Sequence, residues 1–248
     1  MSRRIGVDRI ADVAHRFGLG QPTGIDLPNE KAGIVPSRAW KKAARGEPWY
    51  DGETLSVGIG QGYVNATPLQ LCVMTARMAN GGYAVTPRVV RPNGEVDSGG
   101  DLRPASERGF PSIGISPKAL AHAVEGMRLV TSGGRGTARA VQIKEPGWQI
   151  AGKTGTSQVR RITKQERLTG LRKEEDIPWE QRDHALFVCF GPVEKPRYAC
   201  CVVVEHGGGG SKVAAPIASD VMRECMRLDP SGRPGRDQVV ERQPGGGA

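Results

Sequence analysis

Lys153-Thr154-Gly155-Thr156 places an ammonium group, two hydroxyls and a glycine in consecutive positions, at the end of a run that reads as a strand. Three common residues in a row recur by chance, and a strand lysine is most often part of a solvated face, so the motif draws its meaning from its surroundings. The other candidates are weaker. His184 and His206 flank apolar strands, with no partner at metal-ligand spacing, and read as structural. The run from His206 through four glycines to Ser211 and Lys212 resembles a backbone anion nest at a helix start, but it fails the order of a phosphate-binding loop and reads as a tight strand-to-helix connection. Of the five cysteines, none forms a C-x-x-C pair, and Cys200 and Cys201 sit in an apolar run as small hydrophobes. Asp8, Asp12, Asp26 and Glu30 show no carboxylate-pair logic. No metal site and no cofactor motif is expected.

The 248 residues suffice for a sizeable core, with 38% apolar residues but only 5% aromatic ones. Thirty-five glycines and 18 prolines point to many turns. The net charge of +9 is not gathered on one helix and no recognition motif accompanies it, so nucleic-acid binding is not expected. No apolar run is long enough to span a membrane, and the first residues lack a signal-peptide core.

The elements that must position the motif are read from periodicity and punctuation. Residues 5–17 place Ile5, Ile10, Val13, Ala14 and Phe17 at helical spacing, and 21–54 read as irregular. The glycine-punctuated segment 56–66 precedes a helix with Thr67 as cap, Pro68 at the first position, Gln70 closing a capping box and Gly81-Gly82 as the stop. Residues 83–90 read as a short strand and 92–113 as a loop. Ser116-Pro117 opens a second helix closed by Gly133-Gly134, and Gly136-Thr137 starts a short one. Strands follow at 148–158, 184–191 and 198–205, the last two joined by a tight hairpin, with 159–183 as a long charged loop. Ser211 opens a closing helix through Arg227, and residues 229–248 are expected to be a disordered tail, leaving 1–228 as the folded part. The strand YACCVVVE is apolar, β-branched and free of proline, a pairing template if its edge is open.

With these elements in place the chain resembles the class B penicillin-binding proteins of the elongation type. The resemblance rests on SVGIGQGYVNATPLQL (56–71), ANGG (79–82), AGKTGTSQV (151–159), RDHALFVCFGPVEKPRYA (182–199) and VEHGGGGSKVAAPIA (204–218), with FGLGQPTGIDLPNE (17–30) in support, and it covers roughly residues 3–227. It implies the α/β (α+β) fold shared with serine β-lactamases, an antiparallel sheet flanked by helices. It also implies a peptidoglycan D,D-transpeptidase whose substrate is a stem peptide ending in D-Ala-D-Ala and whose serine is stalled by β-lactams. Three motifs meet in that site: S-x-x-K, S-x-N or S-x-D, and K-T-G. By resemblance, Lys153 brings positive charge to the substrate carboxylate, Thr154 and Thr156 offer it hydroxyls, Gly155 lets the strand edge come close, and the Thr156 N–H is one half of an oxyanion hole.

The other two motifs do not occur among the 248 residues: no serine is followed by lysine at the third position, and no S-x-N or S-x-D exists. Tyr63-Val64-Asn65 mimics a variant of the second motif, but it lies in a block that the family places elsewhere. The chain is expected to correspond to the C-terminal part of the transpeptidase domain, starting just after the missing motifs, and to be inactive alone. The resemblance further implies a parent at the periplasmic face of the inner membrane, partnered by a membrane glycan polymerase and shape-determining proteins. Two alternatives stand beside it: a fragment of a serine β-lactamase-like hydrolase, and a non-catalytic scaffold or binding module derived from the fold.

Overall fold

The computed structural model describes residues 1–90, 105–160, 164–170 and 176–229. Its centre is a three-stranded antiparallel sheet in the order β1 (Ala151–Ser157), β2 (His184–Gly191), β3 (Tyr198–Val204). Register sets Gly155 opposite Leu186 and Leu186 opposite Val203; one residue along, Thr154 faces Phe187 and Phe187 faces Val202. Because side chains alternate across a strand, these two rows lie on opposite faces. All three strands are found where they are expected, except that the first begins at Ala151 rather than at 148.

Both faces are covered by helices, which explains why β2 is apolar on both sides. On one face α5 (Pro68–Ala79) and α6 (Pro117–Ser132) pack through Leu71, Met78, Val124 and Met127 against Val188 and Phe190. On the other, α8 (Ala214–Arg227) lays Ala214, Ala215, Ala218 and Met222 over Ala185, Phe187 and Cys189. Cys200 faces α8 and Cys201 faces α5, both partly buried among apolar neighbours. Burial raises the Cys201 thiol to about 12, so it packs as a neutral group. Among the described residues β3 is an edge strand, paired with β2 alone.

The capping box of α5 is present: the Gln70 N–H donates to the Thr67 hydroxyl at 3.1 Å and the Thr67 N–H to Gln70 Oε1 at 2.9 Å. Ser116 caps α6 by accepting from the Ala119 N–H. Other expectations need correction. The N-terminal segment forms α1 (Ser2–Ile5) and α2 (Val7–Arg16), and the buried side chains are Val7 and Ala11, with Ile5 and Val13 exposed. Residues 83–90 form no strand; Tyr83 makes only an isolated bridge to Ser112. Of the short helix after Thr137 a single 3-10 turn, Arg139–Val141, is present. The charged loop contains α7 (Lys164–Thr169). The closing helix starts at Ala214, and Ser211 lies in the turn before it. The proposed tail beyond Asp229 lies outside the described residues.

The segment 21–54 contains one unexpected helix, α3 (Arg38–Arg45), and the start of another, α4 (Asp51–Val57), which runs into the glycine-punctuated segment. The buried residue of α3 is a lysine, so no apolar stripe announces the helix. The Lys41 side chain is 1% exposed and donates to Glu53 Oε1 at 2.6 Å, with Glu47 at 3.5 Å and the Tyr50 ring centroid at 4.3 Å. Burial alone would lower the Lys41 pKa; the hydrogen bond and charge of Glu53 more than offset it, and the pKa is raised. Burial likewise acts to raise the Glu53 carboxyl, and the bond from Lys41 and the Tyr50 N–H bring it below the ordinary 4.5. The pair therefore contributes stability that is lost on the acid side as pH falls through the folded Glu53 pKa, and on the alkaline side as it rises through that of Lys41. Removing one buried partner is worse than replacing both. Lys41→Met alone is expected to lower the thermal midpoint further than Lys41→Met combined with Glu53→Gln; equal midpoints would show that Glu53 does not depend on Lys41 for its charge.

Candidate functional site: the K-T-G strand and its cavity

β1 is positioned by side chains that substitute for a neighbouring strand at its entrance. Gln142 Oε1 accepts from the Ile150 N–H at 2.9 Å, and Gln142 Nε2 donates to the Ile150 carbonyl at 3.0 Å. The buried Thr131 hydroxyl of α6 donates to that same carbonyl at 2.7 Å. Beyond this point β1 pairs with β2 on one side only, so its other edge presents backbone groups that no strand occupies among the described residues.

Along this edge Lys153 is exposed, and its ammonium donates to the Thr154 carbonyl at 2.7 Å. The Thr154 hydroxyl lies 3.3 Å from that of Thr137, in the connection after α6. Lys153 and Gly155 belong to the rows facing α5 and α6, Thr154 and Thr156 to the rows facing α8. Gly155 and Thr156 line an open cavity of 1070 Å³.

The cavity exists because the helical cover of one sheet face stops short. α5 and α6 cover Val188 and Phe190, but Leu186 and Val203, further along the same face, line the cavity. Its opposite wall is the glycine-punctuated segment after α4, including Gly60, Gln61, Gly62 and Asn65. Gly60 and Gly62 have φ of 75° and 74°, the left-handed backbone that the glycine spacing at 58–62 could have signalled. Asn65 is tied by paired backbone bonds to Ile34, at 2.7 and 2.9 Å. Gln70, fully buried, also donates to the Gln21 and Ala32 carbonyls at 2.7 Å each, a role beyond its capping bond that sequence reading missed. Thus the TPLQ helix start, the 21–34 segment and the cavity wall form one unit.

Tyr63 and Asn65, the residues that mimic a second motif, sit on this wall or beside it: Asn65 lines the cavity, while Tyr63 packs on Trp40 with ring centroids 5.2 Å apart. Arg160, at the cavity rim, is paired with the buried Glu166 at 2.8 Å. Among the described residues no cluster of His, Cys, Asp or Glu could hold a metal ion, and no helix is long and apolar enough to cross a membrane.

Residues 1–223 match the family model described as the penicillin binding protein transpeptidase domain. The peptidoglycan D,D-transpeptidase MrdA of Haemophilus influenzae is 37% identical over 223 residues, covering 88% of this chain and 32% of that protein. The MrdA of Acinetobacter baumannii is 38% identical over 226 residues, covering 88% and 31%. Among solved structures, Pseudomonas aeruginosa PBP2 in complex with WCK 5153 superposes with a TM-score of 0.71 at 36% identity, covering 96% of this chain and 48% of that one. The complex between PBP2 and MreC from Helicobacter pylori gives 0.73 at 31% identity, covering 92% and 37%. The chain spans about a third of the length of these curated relatives. An edge strand carrying K-T-G, the antiparallel sheet between two helical layers and a family match over nearly the whole described length lead to one statement: the chain belongs to the penicillin-binding protein transpeptidase family, in the peptidoglycan D,D-transpeptidase lineage of MrdA.

Proposed function

We propose that this chain forms the K-T-G wall of a serine D,D-transpeptidase site that cross-links D-Ala-D-Ala stem peptides during cell-wall elongation, and that its cavity receives the segment bearing the nucleophilic serine. The observation that carries the reading is the half-buried apolar stretch of sheet, Leu186 and Val203, that lines the cavity directly beside Gly155 and Thr156. An apolar sheet face in a domain of this kind calls for a helix, and a helix seated there brings its side chains to the K-T-G edge. In the assembled site the serine hydroxyl adds to the penultimate carbonyl, the carbonyl oxygen takes negative charge near the Thr156 N–H, and D-alanine leaves with a proton as the acyl-enzyme forms. The amine of a neighbouring stem peptide then attacks the ester, forming the cross-link and returning the proton to serine. Lys153 and the hydroxyls of Thr154 and Thr156 hold the substrate carboxylate.

The same reading places the working enzyme at the periplasmic face of the inner membrane, with a membrane glycan polymerase and shape-determining proteins as partners. The Helicobacter pylori PBP2 complex with MreC, and the structurally similar chain in a peptidoglycan synthase complex, support it.

Fluorescent penicillin tests the proposal. The 248-residue chain alone is expected to give no covalent band on denaturing electrophoresis, because it holds no S-x-x-K serine. Fused behind the serine-bearing segment of the Haemophilus relative, it is expected to label, and excess unlabelled penicillin to abolish the band. A folded fusion that stays unlabelled while the intact relative labels would overturn the reading.

A further inference from the structure

Three backbone segments meet at the far end of the K-T-G strand, and one of them, the tripeptide Arg182-Asp183-His184, holds the other two. Asp183 Oδ1 accepts from the Val159 N–H at 3.1 Å, just beyond β1. The Asp183 carbonyl accepts from the Gly208 N–H at 2.8 Å. His184 Nδ1 accepts from the His206 N–H at 2.9 Å, and His206 Nδ1 lies 3.0 Å from the Arg182 carbonyl. The two imidazoles meet edge to face at 4.7 Å, and Trp179 covers His206 at 4.6 Å.

These contacts determine the state of both rings. An amide N–H donates only to an unprotonated nitrogen, so His184 carries its proton on Nε2. A carbonyl only accepts, so His206 carries a proton on Nδ1. His206 itself has φ of 54°, a left-handed conformation that a non-glycine residue keeps only when its surroundings hold it.

What the clamp holds is the glycine turn packed against β1 and β2. After His206 the chain runs through Gly207–Gly210, and Gly210 lies so close to β1 and β2 that a Cβ there would overlap the backbone carbonyls of Gly155 and Leu186. The Gly210 carbonyl then accepts from the Ala215 N–H at 2.9 Å as α8 begins. A shift of this turn is therefore transmitted to the backbone of Gly155, the centre of the K-T-G strand, without passing through any flexible side chain.

The geometry points to His184 as a positioning residue: protonated on Nε2, it lines the cavity and anchors the glycine turn that packs against the backbone of the K-T-G strand. The anchoring stands on the contacts above; its consequence for acylation rests on the transpeptidase reading.

Amide hydrogen exchange and ring 15N NMR on the 248-residue chain test the anchoring independently of that reading. In the wild-type chain, His184 is expected to show an unprotonated Nδ1 and His206 a protonated one. His184→Leu, which removes the acceptor, should speed exchange about 3- to 10-fold at His206, Gly208 and residues 154–159, the size of effect expected from one lost hydrogen bond. His184→Asn, whose amide oxygen can stand where Nδ1 stands, should restore rates to within about twofold of wild type, less than the loss of one bond. Gly210→Ala should accelerate exchange at 154–157 with the His184 ring intact. A protonated Nδ1 on His184, an Asn variant as damaged as the Leu variant, or an effect confined to the His206 amide would each overturn the inference. If the Leu variant does not fold, the Asn and Gly210→Ala variants decide it. In the fusion described above, Leu is expected to slow penicillin labelling at least threefold and Asn to recover it; equal labelling by all three would show that the clamp does not reach the site. Absence of labelling in the wild-type fusion counts against the transpeptidase reading, and leaves the exchange result standing.

Discussion

Lys153→Ala is expected to slow penicillin acylation of the fused domain by about 30- to 150-fold. Truncating one partner of a desolvated charge pair costs about 2–5 kcal/mol, and each 1.36 kcal/mol is about tenfold in rate. The lower end of that range applies. In the structure the ammonium is exposed and already donates to the Thr154 carbonyl at 2.7 Å, so binding a carboxylate replaces an existing hydrogen bond. The gain is the charge itself, made stronger when ligand and serine segment close the cavity to water. Lys153→Arg keeps the charge but replaces a compact ammonium with a wide planar fork, and it should recover part of the rate. Stopped-flow labelling measures both. An alanine variant within threefold of wild type, under about 1 kcal/mol, would remove Lys153 from the site.

Both the prediction and the fold beneath it were legible in the sequence to unequal degrees, and the reasons are physical. The sheet was readable because β2 is mostly buried and β3 half-buried between two helical layers, which forces long apolar runs at 184–191 and 198–204. α5 and α6 were readable because their ends are punctuated by caps and glycines that act locally. α3 was not, since its buried position is Lys41, whose partners Glu53 and Tyr50 lie outside the helix. The buried face of α2 does not follow from its helical spacing for a related reason: burial falls on Val7 and Ala11, which look no more apolar than Ile5 or Val13 until a neighbour is present. Residues 83–90 have strand composition but no partner beyond a single bridge, and composition alone does not make a ladder.

The candidate site divides in the same way. K-T-G was found because its family context is local in sequence. The cavity was not, because it is a gap between segments: the helices cover Val188 and leave Leu186 only half-buried, a fact about lengths and angles that no single segment encodes. The roles of His184, Asp183 and Gly210 depend on contacts between segments 22 to 55 positions apart. Reading His184 and His206 as structural histidines left their function as a clamp unstated, although the run of glycines after His206 marked a place where backbones come close.

Phe187→Ala is expected to destabilise the chain by about 4–5 kcal/mol, near the top of the range of about 3–5 kcal/mol for buried phenylalanine truncation. The ring is fully buried between β2 and α8, and the residues around it set how far the space can close. Ala185, Ala214, Ala215 and Ala218 have no side-chain rotamers with which to fill a void, which leaves Met222 as a flexible side chain on α8 that could move into it. On the sheet side the ring lies over Gly152, where a Cβ would stand 2.5 Å from Phe187 Cζ, so the strand contributes no side chain there either. Further relaxation would require α8 to move toward the sheet, and the Ser219 hydroxyl, bonded to the Val141 carbonyl at 2.7 Å, resists that movement. The lost energy is a large share of the roughly 5–15 kcal/mol that holds an ordinary domain together. Urea denaturation followed by circular dichroism should show the midpoint falling while the slope is retained. Because Phe187 is the register partner of Thr154, the variant should also loosen the K-T-G strand before global unfolding, with faster amide exchange at 153–156 than at the α5 core. A midpoint shift worth less than about 2 kcal/mol would mean that α8 does settle onto the sheet, and that the K-T-G strand is supported from elsewhere.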